Sequence, residues 1–284
     1  MEYKNNTLQL QNDTIKKTVE SIVATTKEYY LKQVLQQIYG FIDLTSLNVW
    51  DTEDDIRKKL INKVNEFEKN GNNMPNVAGV CVYPEFTELV HNEIKALSVK
   101  TVVVGAGFPS AQTFLSVKMA EVELIANKGA DEVDIVLPLA HFLAGRYEKV
   151  LGEIRILKSV LGNKHLKVIL ETGAYHNDYK KIYLASMLAM EGGADFIKTS
   201  TGKISISATP EATYVMALAI KDFYEKTGKR TGLKPAGGIS DSETAIRYYL
   251  IVKDVLGDDW LTPEYFRIGA SSLADKLLED IGKI

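Results

Sequence analysis

The chain has 284 residues, 45% apolar and 25% charged, with 34 Lys+Arg against 37 Asp+Glu for a formal net charge of -3. That balance excludes the basic footprint of a nucleic-acid binder, and seven prolines without a low-complexity tract argue against disorder. A single cysteine, Cys81, excludes an internal disulfide and a Cys-based zinc or redox pair, while no apolar stretch reaches the about 20 residues of a membrane helix, so a cytoplasmic protein without membrane or nucleic-acid partners is expected.

Residues 1–16 have no apolar core, so no secretory leader is expected there. Over residues 12–39, Ile15, Val19, Ile22, Val23, Leu31, Val34, Leu35 and Ile38 recur at helical spacing. One or two helices covering the bottom or edge of the following fold are expected. From residue 41 onward, short β-rich runs alternate with longer amphipathic stretches. The runs are 41–45, 77–83, 101–105, 132–137, 166–171, 195–200, 232–235 and 266–269. Between them, Ile56, Leu60, Ile61, Val64 and Phe67 mark a helix over 51–69, and Val117, Ala120, Leu124 and Ile125 mark one over 113–128. Thr209 as N-cap, Pro210 at the first helical position and Glu211 in the first turn open a helix over 210–226. A helix over 241–255 has Ser240 or Asp241 as its cap, and Ser271 or Ser272 would cap one over 273–281.

Length alone suggests about two domains, but α/β barrels fill 200–250 residues as one. Eight strand–helix units predict a (β/α)8 TIM barrel over 41–284, preceded by an N-terminal helical extension over 1–40. A doubly wound open sheet is the alternative that periodicity does not separate from it.

In a barrel, reactive groups sit at the C-terminal ends of the strands. Lys198 lies in the sixth run between apolar neighbours and is followed by Thr199, Ser200, Thr201, Gly202 and Lys203; Lys234 lies in the seventh. A lysine inside a strand needs a purpose or a partner. Two on adjacent strands disfavour each other's charge, so one can act as the neutral amine that attacks a carbonyl. The other reading is that both pair with carboxylates. Asp134 and Glu132 share one face of the fourth strand. Asp134 is placed to meet the strand-six lysine and move protons, and Glu132, nearer the strand start, reads as structural. Gly202–Lys203, Gly237–Gly238 and Ser271–Ser272 follow strands six, seven and eight. Glycine lets the backbone approach an anion, and barrels hold phosphate at these loops. Each loop alone fits ordinary turn chemistry; together they predict a phosphate pocket.

Other signals fail. The run after strand three, Gly105 to Ser110, nearly spells a dinucleotide fingerprint, but Pro109 intrudes and Ser110 replaces the third glycine. Ile197 and Ile204 break the P-loop pattern around Gly202–Lys203. His91, His141, His165 and His176 have no metal-ligand spacing, so no bound metal is expected. Cys81 reads as a small core residue.

These strand ends resemble those of the deoxyribose-phosphate aldolases. The likeness runs from about residue 41 to 278. It rests on 193–203 (GADFIKTSTGK), 129–134 (GADEVD), 166–173 (LKVILETG), 233–238 (LKPAGG), 269–273 (GASSL) and, at the first strand, 42–47 (IDLTSL). The resemblance implies a class I aldolase that reversibly cleaves 2-deoxy-D-ribose 5-phosphate to acetaldehyde and D-glyceraldehyde 3-phosphate. It implies that Lys198 forms the imine, Lys234 lowers its pKa and Asp134 takes part in proton transfer. Asp43 and Lys167 fall on supporting polar positions. Gly202, Lys203, Gly237, Gly238, Ser271 and Ser272 fall on the phosphate site. No cofactor is implied, since the imine is the electron sink, and family members are often dimers. The chain departs from the family in a longer helical start and in ending at 282–284 without a tyrosine tail. Two other classes fit the barrel without an imine: a phosphosugar isomerase or epimerase, and a non-catalytic binder of phosphometabolites.

Overall fold

The computed structural model describes residues 11–70 and 73–284. Two helices come first, α1 (Asn12–Val23) and α2 (Lys32–Tyr39). Ile15 and Val19 of α1, and Val34, Leu35 and Ile38 of α2, are buried. α1 lies against α10 (Pro210–Thr227) and α11 (Ser242–Leu256), and α2 lies against α11 and α12 (Leu273–Ile281). Two helices seated on the outer ring thus occupy 12–39 of the expected extension, whose residues 1–10 lie outside the described ones.

The strands are β1 (Ile42–Thr45), β2 (Gly79–Val82), β3 (Lys100–Gly105), β4 (Glu132–Val136), β5 (His165–Ile169), β6 (Phe196–Lys198), β7 (Gly232–Lys234) and β8 (Ile268–Ala270). All pairings are parallel, in the order β7-β6-β5-β4-β3-β2-β1-β8. Bridges Leu233–Phe266 and Ala236–Gly269 join β7 to β8 and close the ring. This is a (β/α)8 barrel, and the open sheet is excluded by that closure.

Helices cross between the strands. Thr52 forms a capping box with Asp55 and starts α3 (Glu53–Ile56), which runs through a π-turn (Arg57–Ile61) into α4 (Asn62–Lys69). α5 (Thr87–Glu93), α6 (Leu115–Asn127), α7 (Leu139–Leu143), α8 (Tyr147–Leu161) and α9 (Tyr179–Glu191) follow. Thr209 caps α10 through the N–H of Ala212, and Asp241, rather than Ser240, caps α11 through the N–H of Thr244. At α12, Ser272 occupies the N-cap position but its side chain makes no capping bond; its backbone is already helical there, rather than extended as at a side-chain cap.

Alternation along each strand divides the core in two. Val133, Ile135, Leu166, Val168, Ile197 and Leu233 face the helices in one large apolar cluster. The inside of the barrel is mixed. β2 and β3 contribute Cys81, Val102 and Val104, an apolar wall with Leu47 above it. The opposite wall carries charges, which is where the site forms.

Candidate active site

Seven ionisable side chains, all nine-tenths or more buried, fill the charged half of the barrel: Asp43, Glu132, Asp134, Lys167, Lys198, Lys234 and Arg267. The period of two places them. Glu132 and Asp134 share one face of β4, and Lys167, Lys198 and Lys234 are in register neighbours of that face on β5, β6 and β7. Asp134 is the hub. Its Oδ2 accepts from Lys198 Nζ at 2.7 Å and from Lys234 Nζ at 2.8 Å, and its Oδ1 lies 3.4 Å from Lys167 Nζ. Lys234 also pairs with Asp43 at 2.5 Å. Asp43 accepts from Arg267 at 2.6 Å, Arg267 reaches Glu132 at 3.0 Å, and Glu132 also holds Lys167. Below them, the Phe196 ring lies 5.5 Å from Lys167 Nζ and 5.6 Å from the Arg267 guanidinium carbon. Gly232 makes room for that ring, since a Cβ there would sit 2.3 Å from it.

Burial opposes the charge of each carboxylate, but the ammonium groups around them prevail. Asp134 is held well below the usual carboxylate range by Lys198, Lys234 and Lys167, and Glu132 likewise by Lys167 and Arg267. Burial would drive Lys234 toward the neutral amine, yet Asp134 and Asp43 outweigh it and raise its pKa, so Lys234 stays a cation. The contacting group holds four cations against three carboxylates. Charge balance is reached when one lysine is the free amine.

Above the hub opens a cavity of about 370 Å³, lined by the loops after β1, β6, β7 and β8. Lys198 lines it, whereas Lys167, Lys234, Asp43 and Asp134 lie behind it. Every residue expected at the phosphate site, Gly202, Lys203, Gly237, Gly238, Ser271 and Ser272, lines the same cavity. Gly237 has φ +86° and a Cβ there would meet Ser207 at 2.6 Å, so the loop after β7 can pass only as glycine. Lys203 reaches across the mouth, and its ammonium donates to the Leu47 carbonyl. No Asp or Glu lines this cavity among the described residues.

Two residues, one in the charge cluster and one behind the cavity wall, stand outside the sequence expectation. Arg267 has the same signature as Lys198, a cation between apolar strand residues, Phe266 and Ile268. Glu171 closes the fifth β-rich run of the sequence; in the structure it lies beyond β5 in a left-handed turn. Cys81 is a free, buried core residue, as expected, and burial pushes its thiol pKa up.

A (β/α)8 barrel with an amine set at the edge of a glycine- and serine-lined cavity defines an enzyme of the barrel class. Comparison with known proteins narrows the class. The family model for DeoC/LacD family aldolases matches residues 41–253. The human deoxyribose-phosphate aldolase is 38% identical, with 96% of this chain and 89% of the human one covered. The bovine deoxyribose-phosphate aldolase is 36% identical, with 94% and 87% covered. Among solved structures, the tetrameric deoxyribose phosphate aldolase of Aeropyrum pernix superposes with a TM-score of 0.69 at 26% identity, covering 92% of this chain and 97% of that one. The chain belongs to the DeoC/LacD aldolase family, and it is an aldolase, a carbon–carbon lyase.

Proposed function

We propose that this aldolase reversibly cleaves 2-deoxy-D-ribose 5-phosphate to acetaldehyde and D-glyceraldehyde 3-phosphate through a Schiff base on Lys198. The observation that carries the reading is that Lys198 is the one amine of the buried charge cluster that reaches the cavity. An isomerase or epimerase reading lacks a carboxylate base in the cavity wall.

Lys198 Nζ attacks C1 of the open-chain sugar, and loss of water gives the imine. Its iminium form draws electrons from the C2–C3 bond as the C3 hydroxyl loses its proton. That bond breaks, D-glyceraldehyde 3-phosphate leaves, and an enamine remains. Protonation at C2 and hydrolysis release acetaldehyde and the free amine. Asp134, bonded to Lys198 Nζ, moves protons to and from this centre through a water. Lys234 is the fixed cation that favours a neutral amine on its neighbour, and Asp43 and Lys167 hold Lys234 and Asp134 in place. The iminium is the electron sink, so the chemistry requires no metal or cofactor. The glycine and serine loops and Lys203 hold the phosphate. On this reading the enzyme serves cytoplasmic breakdown of deoxyribonucleotides and their sugars, and the free thiol of Cys81 suits a reducing compartment.

A coupled assay for glyceraldehyde 3-phosphate release tests the reaction. Release from deoxyribose 5-phosphate is expected, and its absence would refute the substrate. In the same assay Lys234→Met should move the pH profile to higher pH; an unchanged profile would remove Lys234 from its role.

A further inference from the structure

The loop after β5 is built unlike its neighbours. Glu171 is 4% exposed and has φ +55°, ψ +58°, a left-handed conformation for a residue with a Cβ. Such residues are held in place by their surroundings and cluster at functional sites. The turn brings the carboxylate against the loop after β6. There it accepts the backbone N–H of Thr201 at 3.1 Å and the hydroxyl of Thr201 at 2.5 Å. That hydroxyl oxygen in turn accepts the N–H of Lys203 at 3.0 Å. One buried carboxylate thus fixes two residues of a cavity wall.

The two loops are also seated on each other. A Cβ at Gly173 would lie 2.2 Å from the Ile206 carbonyl oxygen, so the chain at 206 packs directly on the turn after Glu171. Thr172 donates its N–H to the Thr199 carbonyl at 2.9 Å, and the Tyr175 hydroxyl donates to the Leu170 carbonyl at 2.8 Å. Glu171 itself does not line the cavity, whereas Thr201, Gly202 and Lys203 do. A carboxylate in the wall would repel a phosphate; set behind it and bonded to two donors of Thr201, it shapes the wall instead.

We infer that Glu171 is a positioning residue that sets residues 201–203 in the geometry that receives the substrate's phosphate. This rests on the aldolase reading above and deepens it, because it assigns the residue that holds the phosphate loop.

The test compares Glu171→Ala, Glu171→Gln and Thr201→Val in the full chain, on deoxyribose 5-phosphate and on unphosphorylated deoxyribose. Amide hydrogen exchange at residues 200–203 is followed in parallel. Misplacing a binding group by an ångström is costly, so kcat/KM for the phosphorylated sugar should fall at least about tenfold further than for the unphosphorylated one, chiefly through KM. Glu171→Gln keeps an acceptor for the Thr201 hydroxyl and should recover most of the loss. Combining Glu171→Ala with Thr201→Val should cost less than the sum of the two single losses, since both break the bond between the Thr201 hydroxyl and the Glu171 carboxylate. Exchange at 200–203 should speed up in Glu171→Ala; should that variant not fold, Glu171→Gln and Thr201→Val carry the comparison. Equal losses on both sugars, or unchanged exchange, would overturn the assignment. A wild-type protein that releases no glyceraldehyde 3-phosphate would refute the aldolase reading separately, and the exchange data would still decide whether Glu171 holds the loop.

Discussion

Lys198 and Lys234 carry the same ammonium on adjacent strands and share one carboxylate oxygen, yet their surroundings differ. Lys234 is enclosed by Asp134 and Asp43, whereas Lys198 has Asp134 behind it and the cavity before it. In the proposed mechanism that asymmetry separates a permanent cation from a nucleophile. Both were legible as cations in apolar strands. Arg267 carries the same signal, but a lone cation in a short run also fits a strand end, and only the closed ring shows that it faces Asp43 and Glu132. The cluster also sets a pH dependence. Asp134 and Glu132 have depressed folded-state pKa values, so their stabilisation is complete above the unfolded carboxylate value of about 4 and is lost as pH falls through the folded value. Lys234 is raised, so its stabilisation is complete below about 10.4 and is lost as pH rises through the folded value. Between these limits the contributions of Asp134, Glu132 and Lys234 are constant. Asp134→Asn leaves Lys198, Lys234 and Lys167 without their shared anion and should cost about 3–5 kcal/mol at neutral pH, with a smaller loss in acid. A variant as stable as wild type at neutral pH would show that Asp134 does not hold the cluster.

Among the elements, strand positions follow the two-residue alternation and helix starts follow their caps. Thr209 marks the start of α10 to the residue, and the pair Ser240 and Asp241 brackets the start of α11, because a short oxygen side chain before an apolar face has one physical use there. The π-turn at Arg57–Ile61 left no trace, since Ile56, Leu60, Ile61, Val64 and Phe67 continue the apolar stripe through it. Glu171 was invisible for a similar reason: a left-handed turn leaves the side-chain pattern of the run intact. The loops after β6, β7 and β8 were readable as glycine and serine clusters, and the fold gathers them around one cavity. Ser271 is exposed in that wall. Replacing Ser271 with Asp should raise KM for the phosphorylated sugar about tenfold or more through charge repulsion, and leave the unphosphorylated sugar nearly unchanged. Equal losses would indicate a disturbed fold instead.

For the molecule as a whole, the count of strand–helix units pointed to a barrel, but closure did not follow from periodicity. It depends on the β7–β8 bridges, formed by segments too short to show a pattern. The net charge of -3 offers an anionic sugar no general attraction. On the proposed function recognition therefore falls to the cavity, and the overall charge gives no guide to it. The two N-terminal helices bury Ile15, Val19, Val34, Leu35 and Ile38, each about 1.5–3 kcal/mol of apolar burial, against the outer ring. Removing residues 1–39 should lower the melting temperature by about 10 °C or more. An unchanged melt would show the helices to be an appendage to the barrel.

The most direct test is to incubate the protein with acetaldehyde, reduce with borohydride and map the modified residue. One ethyl group on Lys198 is expected, with Lys167 and Lys234 unmodified, and no adduct in Lys198→Met. An adduct on another lysine, or none in the wild-type chain, would contradict the mechanism.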